Sequence, residues 1–294
     1  MFKRATLLST LTLVAGVTLA SGGLVVAQAD QVDSAGATFL AARLSGANET
    51  TGGDTDGSGN AVVRIRGTEV CFLLSWSKIA APTAAHIHMG AAGVNGPVVV
   101  GFFAGALPAN LTAVTGCVTS TAATIDAIKA NPAGFYANVH TAEFPGGAIR
   151  GQLGRLGVSS FDVAADILRD SNLAAVALGR NEVPGPGDAD GSAVAAFKVG
   201  TDAVTFATRW RNIAPPAAAH IHSGAAGVAG PVVVGLLAAP GGLPASINGI
   251  AGTAMGAADV LANIRRNPAG FYFNIHNAEF PAGATRGQLF RIRF

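Results

Sequence analysis

The 294-residue chain has little charge, little cysteine and few large polar aromatic residues. Asp, Glu, Lys and Arg together make up 12% of it, and it contains two cysteines, two tryptophans and two tyrosines. None of its serines has a repeated histidine and acid near it, and no glycine-rich loop follows a strand-like segment. Serine hydrolases and nucleotide-binding proteins depend on such groups. The sequence therefore gives no support to either class.

Long apolar runs are absent except at the N-terminus. Lys3 and Arg4 precede a charge-free apolar segment, residues 5–20, and residues 27–29 (Ala-Gln-Ala) offer a small-residue cleavage site. This order is typical of a secretory signal peptide, so we assign residues 1–29 to a signal and expect a secreted, periplasmic or cell-surface protein with no membrane span after cleavage. A retained membrane anchor is the alternative, because the segment is near the lower length for crossing a bilayer. No cysteine follows the segment, which argues against a lipoprotein anchor.

A surplus of basic residues is also missing. The chain has 19 Lys and Arg against 17 Asp and Glu, and two of the bases, Lys3 and Arg4, lie in the signal segment. The mature chain is therefore formally neutral, and it has no basic clusters. Nucleic-acid phosphates are bound by clustered lysine and arginine, so nucleic acid is not an expected partner.

What the chain does contain is a histidine pattern that occurs twice. One block reads Ala-Ala-His-Ile-His, and the other reads Asn-Pro-Ala-Gly-Phe-Tyr and ends at a histidine four positions later. The blocks lie at residues 84–88 and 131–140 in the first copy and at residues 218–222 and 267–276 in the second. All six histidines of the protein belong to these blocks. Such repetition predicts two similar domains, residues 37–153 and 172–294. A linker, residues 154–171, joins them, and residues 162–169 can form a short helix.

Strand signals dominate both copies. In the first copy, residues 61–66 and 70–76 are rich in β-branched and aromatic side chains and flank a Gly-Thr turn. One helix is expected before each Asn-Pro pair, over residues 124–130 and 257–266, because proline disfavours helical backbone at the residue before it. We therefore predict an all-β fold of two tandem Greek-key-like β-sandwich or barrel domains, each with one short helix.

The three histidines of each copy are candidate metal ligands. Residues two apart in a strand point to the same face, so the two histidines of His-x-His share one, and the third shares a face with a tyrosine and an asparagine. Neutral imidazoles suit copper or zinc, and three protein ligands leave one coordination position open. The alternative is a cluster of hydrogen-bonded histidines that holds neighbouring loops. The candidate ligands are His86, His88 and His140 in the first copy and His220, His222 and His276 in the second.

An acid follows the third histidine of each copy by three positions. Glu143 and Glu279 can act as a fourth ligand or as an acceptor that orients an imidazole. An acid in such a place more often pairs with a nearby arginine, here Arg150 or Arg286 in Arg-Gly-Gln-Leu. We therefore expect an ion pair in each copy.

Both cysteines lie in the first copy. Alignment of the copies places Thr205 opposite Cys71 and Thr253 close to Cys117, so the second copy lacks both cysteines together. In an exported protein this favours a structural disulfide between Cys71 and Cys117. Two free buried thiols are the alternative.

At these motifs the chain resembles the CHRD domain family, named for the repeats of chordin. Each copy has an Asn-Glu pair (Asn48-Glu49 and Asn181-Glu182), an Asp-Gly-Ser turn, Ala-His-Ile-His-x-Gly, Asn-Pro-x-x-Phe-Tyr-x-Asn-x-His and Arg-Gly-Gln-Leu. The resemblance implies β-sandwich domains of extracellular proteins. We expect a binding or structural module whose partner is an extracellular protein, a surface or a small ligand. The cysteine-rich modules that accompany these repeats in chordin are absent, so growth-factor binding is not expected.

The chain is also loosely similar to Cu/Zn superoxide dismutase, a β-barrel with His-x-His on one strand, a distant copper-binding histidine and an arginine that guides anions. This similarity implies copper ligands at the six histidines and a guiding role for Arg150 and Arg286. The bridging histidine, the further zinc histidines and the zinc-binding aspartate have no counterpart. A copper-only redox enzyme is therefore the alternative to a binding module, and the sequence favours the module.

Overall fold

The computed structural model describes residues 17–20, 23–26, 36–156 and 170–292, and strands make up most of its regular structure. Strands β1 (Val17–Ala20) and β2 (Gly23–Val26) pair with each other within the segment assigned to the signal. The first repeat contains β3 (Ala37–Ser45), β4 (Ser58–Arg66), β5 (Glu69–Ser77), β6 (Pro82–Met89), β7 (Val98–Ala104), β8 (Leu111–Thr119), β9 (Phe135–Thr141), β10 (Ile149–Gln152) and β11 (Gly154–Arg155). The second repeat contains β12 (Leu173–Leu178), β13 (Ser192–Val199), β14 (Ala203–Arg211), β15 (Pro216–Ser223), β16 (Val232–Ala238), β17 (Ile247–Met255), β18 (Phe271–Asn277) and β19 (Thr285–Arg291). The predicted cleavage site and the predicted helix over residues 162–169 lie outside the described residues.

Each repeat has one α-helix at the predicted place, α1 (Ala122–Ala130) and α2 (Ala258–Arg266). Helix α1 begins where the Thr121 hydroxyl accepts a hydrogen bond from the Thr124 amide, 3.2 Å away. Both helices end immediately before an Asn-Pro pair, because the proline disfavours helical backbone at the asparagine. In the part of the chain that the structure describes, no helix is long and apolar enough to cross a bilayer.

Alternation of apolar and polar side chains along the strands builds the core. In β4, Ala61, Val63 and Ile65 are fully buried and alternate with more exposed residues. Phe72 of β5 and Phe102 of β7 have ring centroids 4.7 Å apart. The sheet of the first repeat therefore folds over, and its two halves pack face to face. The predicted all-β fold with one short helix per repeat is confirmed.

The strands of each repeat form one antiparallel sheet. Its order is β7-β6-β9-β10-β3-β4-β5-β8 in the first repeat. The same order returns in the second repeat as β16-β15-β18-β19-β12-β13-β14-β17. Strand β9 thus lies between β6 and β10, and β18 lies between β15 and β19. The chain brings its two histidine blocks together on these neighbouring strands.

The two sheets join edge to edge through β8 and β17, which pair antiparallel. The contacts are symmetrical: the Cys117 amide donates to the Ser246 carbonyl at 3.1 Å, and the Thr253 amide donates to the Asn110 carbonyl at 3.0 Å. Each edge strand therefore satisfies its backbone groups with those of the other repeat. The two repeats share one continuous sheet.

The predicted disulfide between Cys71 and Cys117 is present, and it joins the neighbouring strands β5 and β8. In the second repeat, Thr205 and Thr253 face each other across β14 and β17. Threonines that face each other in an antiparallel pair support it through packing and hydrogen bonding. The second repeat therefore closes the equivalent strand pair without a covalent bond.

Candidate metal centre

Strands β6 and β9 bring the three histidines of the first repeat to one place. Their register sets His88 opposite Tyr136, His86 opposite Asn138 and Ala84 opposite His140. Strands β15 and β18 repeat this register in the second repeat. Residue Ile87, between the two histidines of β6, is fully buried on the other face. The histidines therefore lie on the outer face of the sheet, as the alternation predicted.

The imidazoles of each repeat converge. One ring nitrogen from each of His86, His88 and His140 lies within 4.8 Å of the other two, and the same holds for His220, His222 and His276. In the first repeat the Nδ1 of His86 is 3.1 Å from the Nε2 of His140. We call each group of three a histidine site. The structure thus brings together all six histidines that the sequence singled out, in two separate groups.

Loop carbonyls fix which nitrogen of two histidines faces inward. His88 Nδ1 donates to the Gly96 carbonyl at 2.9 Å, and His140 Nδ1 donates to the Pro145 carbonyl at 3.0 Å. Because a carbonyl only accepts, these Nδ1 atoms carry the protons and the Nε2 atoms are left as acceptors. The Nε2 of His140 accepts a hydrogen bond from the Nδ1 of His86, and the Nε2 of His88 has no partner among the described residues. The second repeat has the same contacts with the carbonyls of Gly230 and Pro281.

The inward-facing nitrogens of the second repeat have no hydrogen-bond partner among the described residues. They are the Nδ1 of His220 and the Nε2 atoms of His222 and His276, all buried. Buried polar atoms are nearly always paired. The histidines do hold neighbouring loops, as expected if their role is only structural. The nitrogens that bind the loops, however, are not the nitrogens that face the centre of the site.

Burial keeps these imidazoles uncharged at neutral pH. It lowers the pKa of His86 to about 4, and neighbouring His140 and His88 lower it further in the same direction. Burial and the neighbours His276 and His222 lower the pKa of His220 to about 4. A neutral imidazole is the form that binds a metal ion.

A tyrosine and an arginine support each site from β9 and β10. The ring of Tyr136 stacks on His88, and the guanidinium carbon of Arg150 lies 3.4 Å from the centre of the Tyr136 ring. Arg150 is 1% exposed and donates to the carbonyls of Ala91 and Val94. These residues belong to the loop that carries the Gly96 carbonyl, so Arg150 holds the loop that orients His88.

The expected ion pairs of Arg150 and Arg286 with Glu143 and Glu279 do not form. Both acids are exposed, and no ion pair of the described residues joins them to these arginines. Neither acid belongs to the groups of convergent ligand atoms. The arginines are buried and use backbone carbonyls instead, because the loop folds over them. Burial also contradicts the guiding role that the dismutase similarity implied, since a buried guanidinium does not meet anions from solvent.

A half-buried carboxyl that the sequence analysis did not assign to the site lies beside it. The Asn138 amide donates to the Glu49 carboxylate at 2.9 Å, and Asn138 is the residue opposite His86. Burial raises the pKa of Glu49 to about 7, although the charge of Arg150 and the Asn138 hydrogen bond lower it. The second repeat has the same arrangement in Glu182, whose pKa burial raises to about 7. The Asn-Glu pair that occurs in both copies was the sequence feature that could have identified these carboxyls.

Comparison with known proteins agrees with this duplication. No curated protein sequence matches the chain. The family model described as CHRD domain matches residues 40–153 and, a second time, residues 173–289. Both histidine sites, with their tyrosines and arginines, fall within the matched residues. The chain therefore belongs to the CHRD domain family and carries two tandem CHRD domains.

Proposed function

We propose that the protein is an exported binding module in which each CHRD repeat holds one copper or zinc ion through its three histidines. Export is supported by the signal-like N-terminal segment and by the disulfide, which persists in oxidising compartments. The ion gives each repeat a fixed point of attachment for an extracellular ligand.

The observation that carries the proposal is the set of nitrogens without partners in the second repeat. A histidine site built only to hold loops leaves no reason for three buried lone pairs to converge. His222 and His276 are oriented by carbonyls through their other nitrogen, which is the usual arrangement for metal-binding histidines. With three nitrogen ligands, copper or zinc keeps a fourth position for a donor group of the ligand.

The geometry supports binding better than redox catalysis. In a copper-only dismutase, a positive group at the entrance speeds capture of the anionic substrate. Arg150 and Arg286, the arginines at these sites, are 1% and 2% exposed. Each is also engaged with loop carbonyls. Once the arginines are set aside, the three histidines of each site remain, and they are suited to holding a metal ion that a ligand can reach.

Metal analysis of the purified mature protein tests the proposal. We expect about two copper or zinc ions per chain, one for each histidine site. The His88→Ala variant should hold half as much metal, and the His88→Ala/His222→Ala variant almost none. Glu143→Ala/Glu279→Ala is the matched control and should keep the full content, because both acids are exposed and outside the sites.

Two outcomes would contradict the proposal. Equal metal content in the wild type and in the double histidine variant would show that the histidines are not the ligands. Superoxide consumption by the copper-loaded protein, lost in the double histidine variant, would favour the enzyme over the binding module. Circular dichroism of each variant shows whether the strands are retained.

A further inference from the structure

The two histidine sites differ in how firmly the loop beside them is held. This loop joins β6 to β7 in the first repeat and β15 to β16 in the second. In both repeats one of its carbonyls accepts from a histidine at 2.9 Å, Gly96 from His88 and Gly230 from His222. In both repeats the buried arginine donates to two more carbonyls of the loop. The orientation of the histidine is therefore the same, and the difference lies in the further bonds that hold the loop.

Asn95 ties the loop of the first repeat to two other parts of the domain. Its side-chain oxygen accepts from the Nη1 of Arg150 at 3.0 Å and from the Thr50 hydroxyl at 2.6 Å. Thr50 belongs to the connection between β3 and β4, so the contact joins two loops. Asn95 directly precedes Gly96, the residue whose carbonyl binds His88. We call the two hydrogen bonds that join Thr50, Asn95 and Arg150 the loop anchor.

The second repeat lacks both side chains that the loop anchor needs. Val183 takes the position of Thr50. Ala229 takes the position of Asn95, and neither apolar side chain can form a hydrogen bond. The Nη1 of Arg286 is correspondingly buried and has no partner among the described residues. A loop that is held by fewer bonds opens at a lower cost in free energy. The carbonyl that orients the histidine therefore lies on a loop that opens more readily than in the first repeat.

A second difference lies among the imidazoles themselves. In the first repeat the Nδ1 of His86 donates to the Nε2 of His140 at 3.1 Å. Because the Nδ1 of His140 is already bonded to the Pro145 carbonyl, an ion that takes His140 as a ligand must break this hydrogen bond. In the second repeat the Nδ1 of His220 and the Nε2 of His276 have no partner among the described residues. An ion therefore enters the second site without that cost.

We propose that the two sites exchange metal at different rates: the second repeat takes up and releases its ion quickly, and the first repeat retains its ion. The inference rests on the proposed function, since it concerns the same histidines. Both differences act in one direction. The hydrogen bond between His86 and His140 slows entry to the first site, and the loop anchor slows release from it, because partners that orient a ligand add to metal affinity. An extracellular acceptor with nitrogen or sulfur donors, which copper and zinc prefer, can thus take the ion of the second repeat.

Release of zinc to an excess of the chromogenic chelator pyridylazoresorcinol, followed by stopped flow, tests the proposal. The wild type loaded with zinc should release it in two phases of equal amplitude, with rates that differ about tenfold or more. His222→Ala should lose the fast phase, and His88→Ala should lose the slow one. A common rate for both ions would overturn the inference, and so would a fast phase that disappears in His88→Ala.

Transfer of the loop anchor between the repeats shows whether it sets the rates. In the variant that keeps only the first site, Thr50→Val/Asn95→Ala should speed zinc release about tenfold. In the variant that keeps only the second site, Val183→Thr/Ala229→Asn should slow it. Slower release cannot come from a loss of the fold, so the second pair of substitutions decides the matter if the first pair unfolds the domain. An unchanged rate after the second pair would overturn the role of the anchor.

The zinc content of the loaded wild type separates this inference from the proposed function. Two zinc ions per chain that leave at one rate would overturn the difference between the sites and would leave the proposed metal sites standing. A wild type that retains no zinc after loading would overturn both. Two ions that leave at separate rates, with the faster one assigned to the second repeat, would support both.

Discussion

The phenol ring of Tyr136 stacks on the imidazole of His88, with ring centroids 4.9 Å apart and 9° between the planes. Strand β9 lies between β6 and β10, so His88 and Arg150 contact Tyr136 from opposite neighbouring strands. The second repeat has the same stack on Tyr272, with centroids 4.8 Å apart and 13° between the planes. The two tyrosines are the only ones in the chain. Each connects a buried cation to a candidate metal ligand.

Replacement of this tyrosine should weaken metal binding. In a His222→Ala background, where only the first site remains intact, we expect Tyr136→Leu to lower metal affinity about 10- to 100-fold, because the support that orients His88 is lost. Tyr136→Phe keeps the ring and removes only the hydroxyl that accepts from the Gly96 amide, so its effect should be smaller. Competition with a chelator measures both affinities. The stack has no such role if the Leu and Phe variants bind metal equally well.

A hydrogen-bond acceptor introduced at position 229 should stabilise the second repeat. Arg150 Nη1 donates to the Asn95 side chain. The corresponding Nη1 of Arg286 is buried and has no partner among the described residues, because Ala229 stands where the first repeat has Asn95. We expect Ala229→Asn to raise the free energy of unfolding and Asn95→Ala to lower it, each by about 1–3 kcal/mol. Urea denaturation measures both. A destabilising Ala229→Asn would show that the missing acceptor is not what distinguishes the repeats.

The histidine sites could be predicted because a strand fixes side-chain direction. Alternation alone placed His86 and His88 on one face, and a second block with the same alternation supplied His140. Duplication showed which residues recur. The disulfide followed from the same comparison, since the second copy of an exported chain lacks both cysteines together.

The role of Arg150 could not be predicted, because its partners are carbonyls. The conformation of the loop that contains Ala91 and Val94 depends on tertiary packing, and no side-chain pattern encodes where its carbonyls point. A sequence gives side chains and not the positions of carbonyls, so an ion pair with the nearby acid Glu143 was the expected contact of Arg150. The pairing of β8 with β17 was hidden for a similar reason, although Gly116 within β8 was a signal of close backbone approach.

The half-buried carboxyl of Glu49 should make the stability of the fold depend on pH. Its pKa is about 7 in the folded protein against an ordinary value of 4.5, so the folded state binds more protons between these values. The contribution of this carboxyl is thus fully present below about pH 4.5 and is lost as pH rises to about 7. Glu49→Gln cannot ionise and still accepts from Asn138. We therefore expect the stability of this variant relative to the wild type to increase across this range and then level off.

Urea denaturation at several pH values measures this difference, and Glu143→Gln is the control. Glu143 is exposed, so its variant reports the effect of removing a surface charge from the same repeat. The interpretation fails if Glu49→Gln and Glu143→Gln show the same dependence on pH. Metal must be removed with a chelator beforehand, because bound metal stabilises the folded state by itself.

Threonines should replace the disulfide without loss of the fold. Cys71→Thr/Cys117→Thr gives the first repeat the pair that Thr205 and Thr253 form in the second. We expect a loss of about 2–4 kcal/mol in the free energy of unfolding, mainly from the greater freedom of the unfolded chain. Circular dichroism should show unchanged strand content. Loss of strand structure in the variant would mean that the cross-strand threonine pair is not sufficient to keep the first repeat folded.

Gly116 should be essential to the union of the two repeats. A Cβ atom at this position would lie 2.7 Å from the Phe72 ring and closer still to the carbonyl of Ser246, the residue before β17, so β8 and the start of β17 must move apart. We expect Gly116→Ala to lower stability by about 1–3 kcal/mol or more and to split thermal unfolding into two calorimetric transitions, one for each repeat. Gly235→Ala is the matched control, because no atom of the described residues lies within 4 Å of a Cβ at that position of β16; its effect should stay within about 0.5 kcal/mol. A Gly116→Ala variant that unfolds like the control would show that the repeats are held together by other contacts than this close approach.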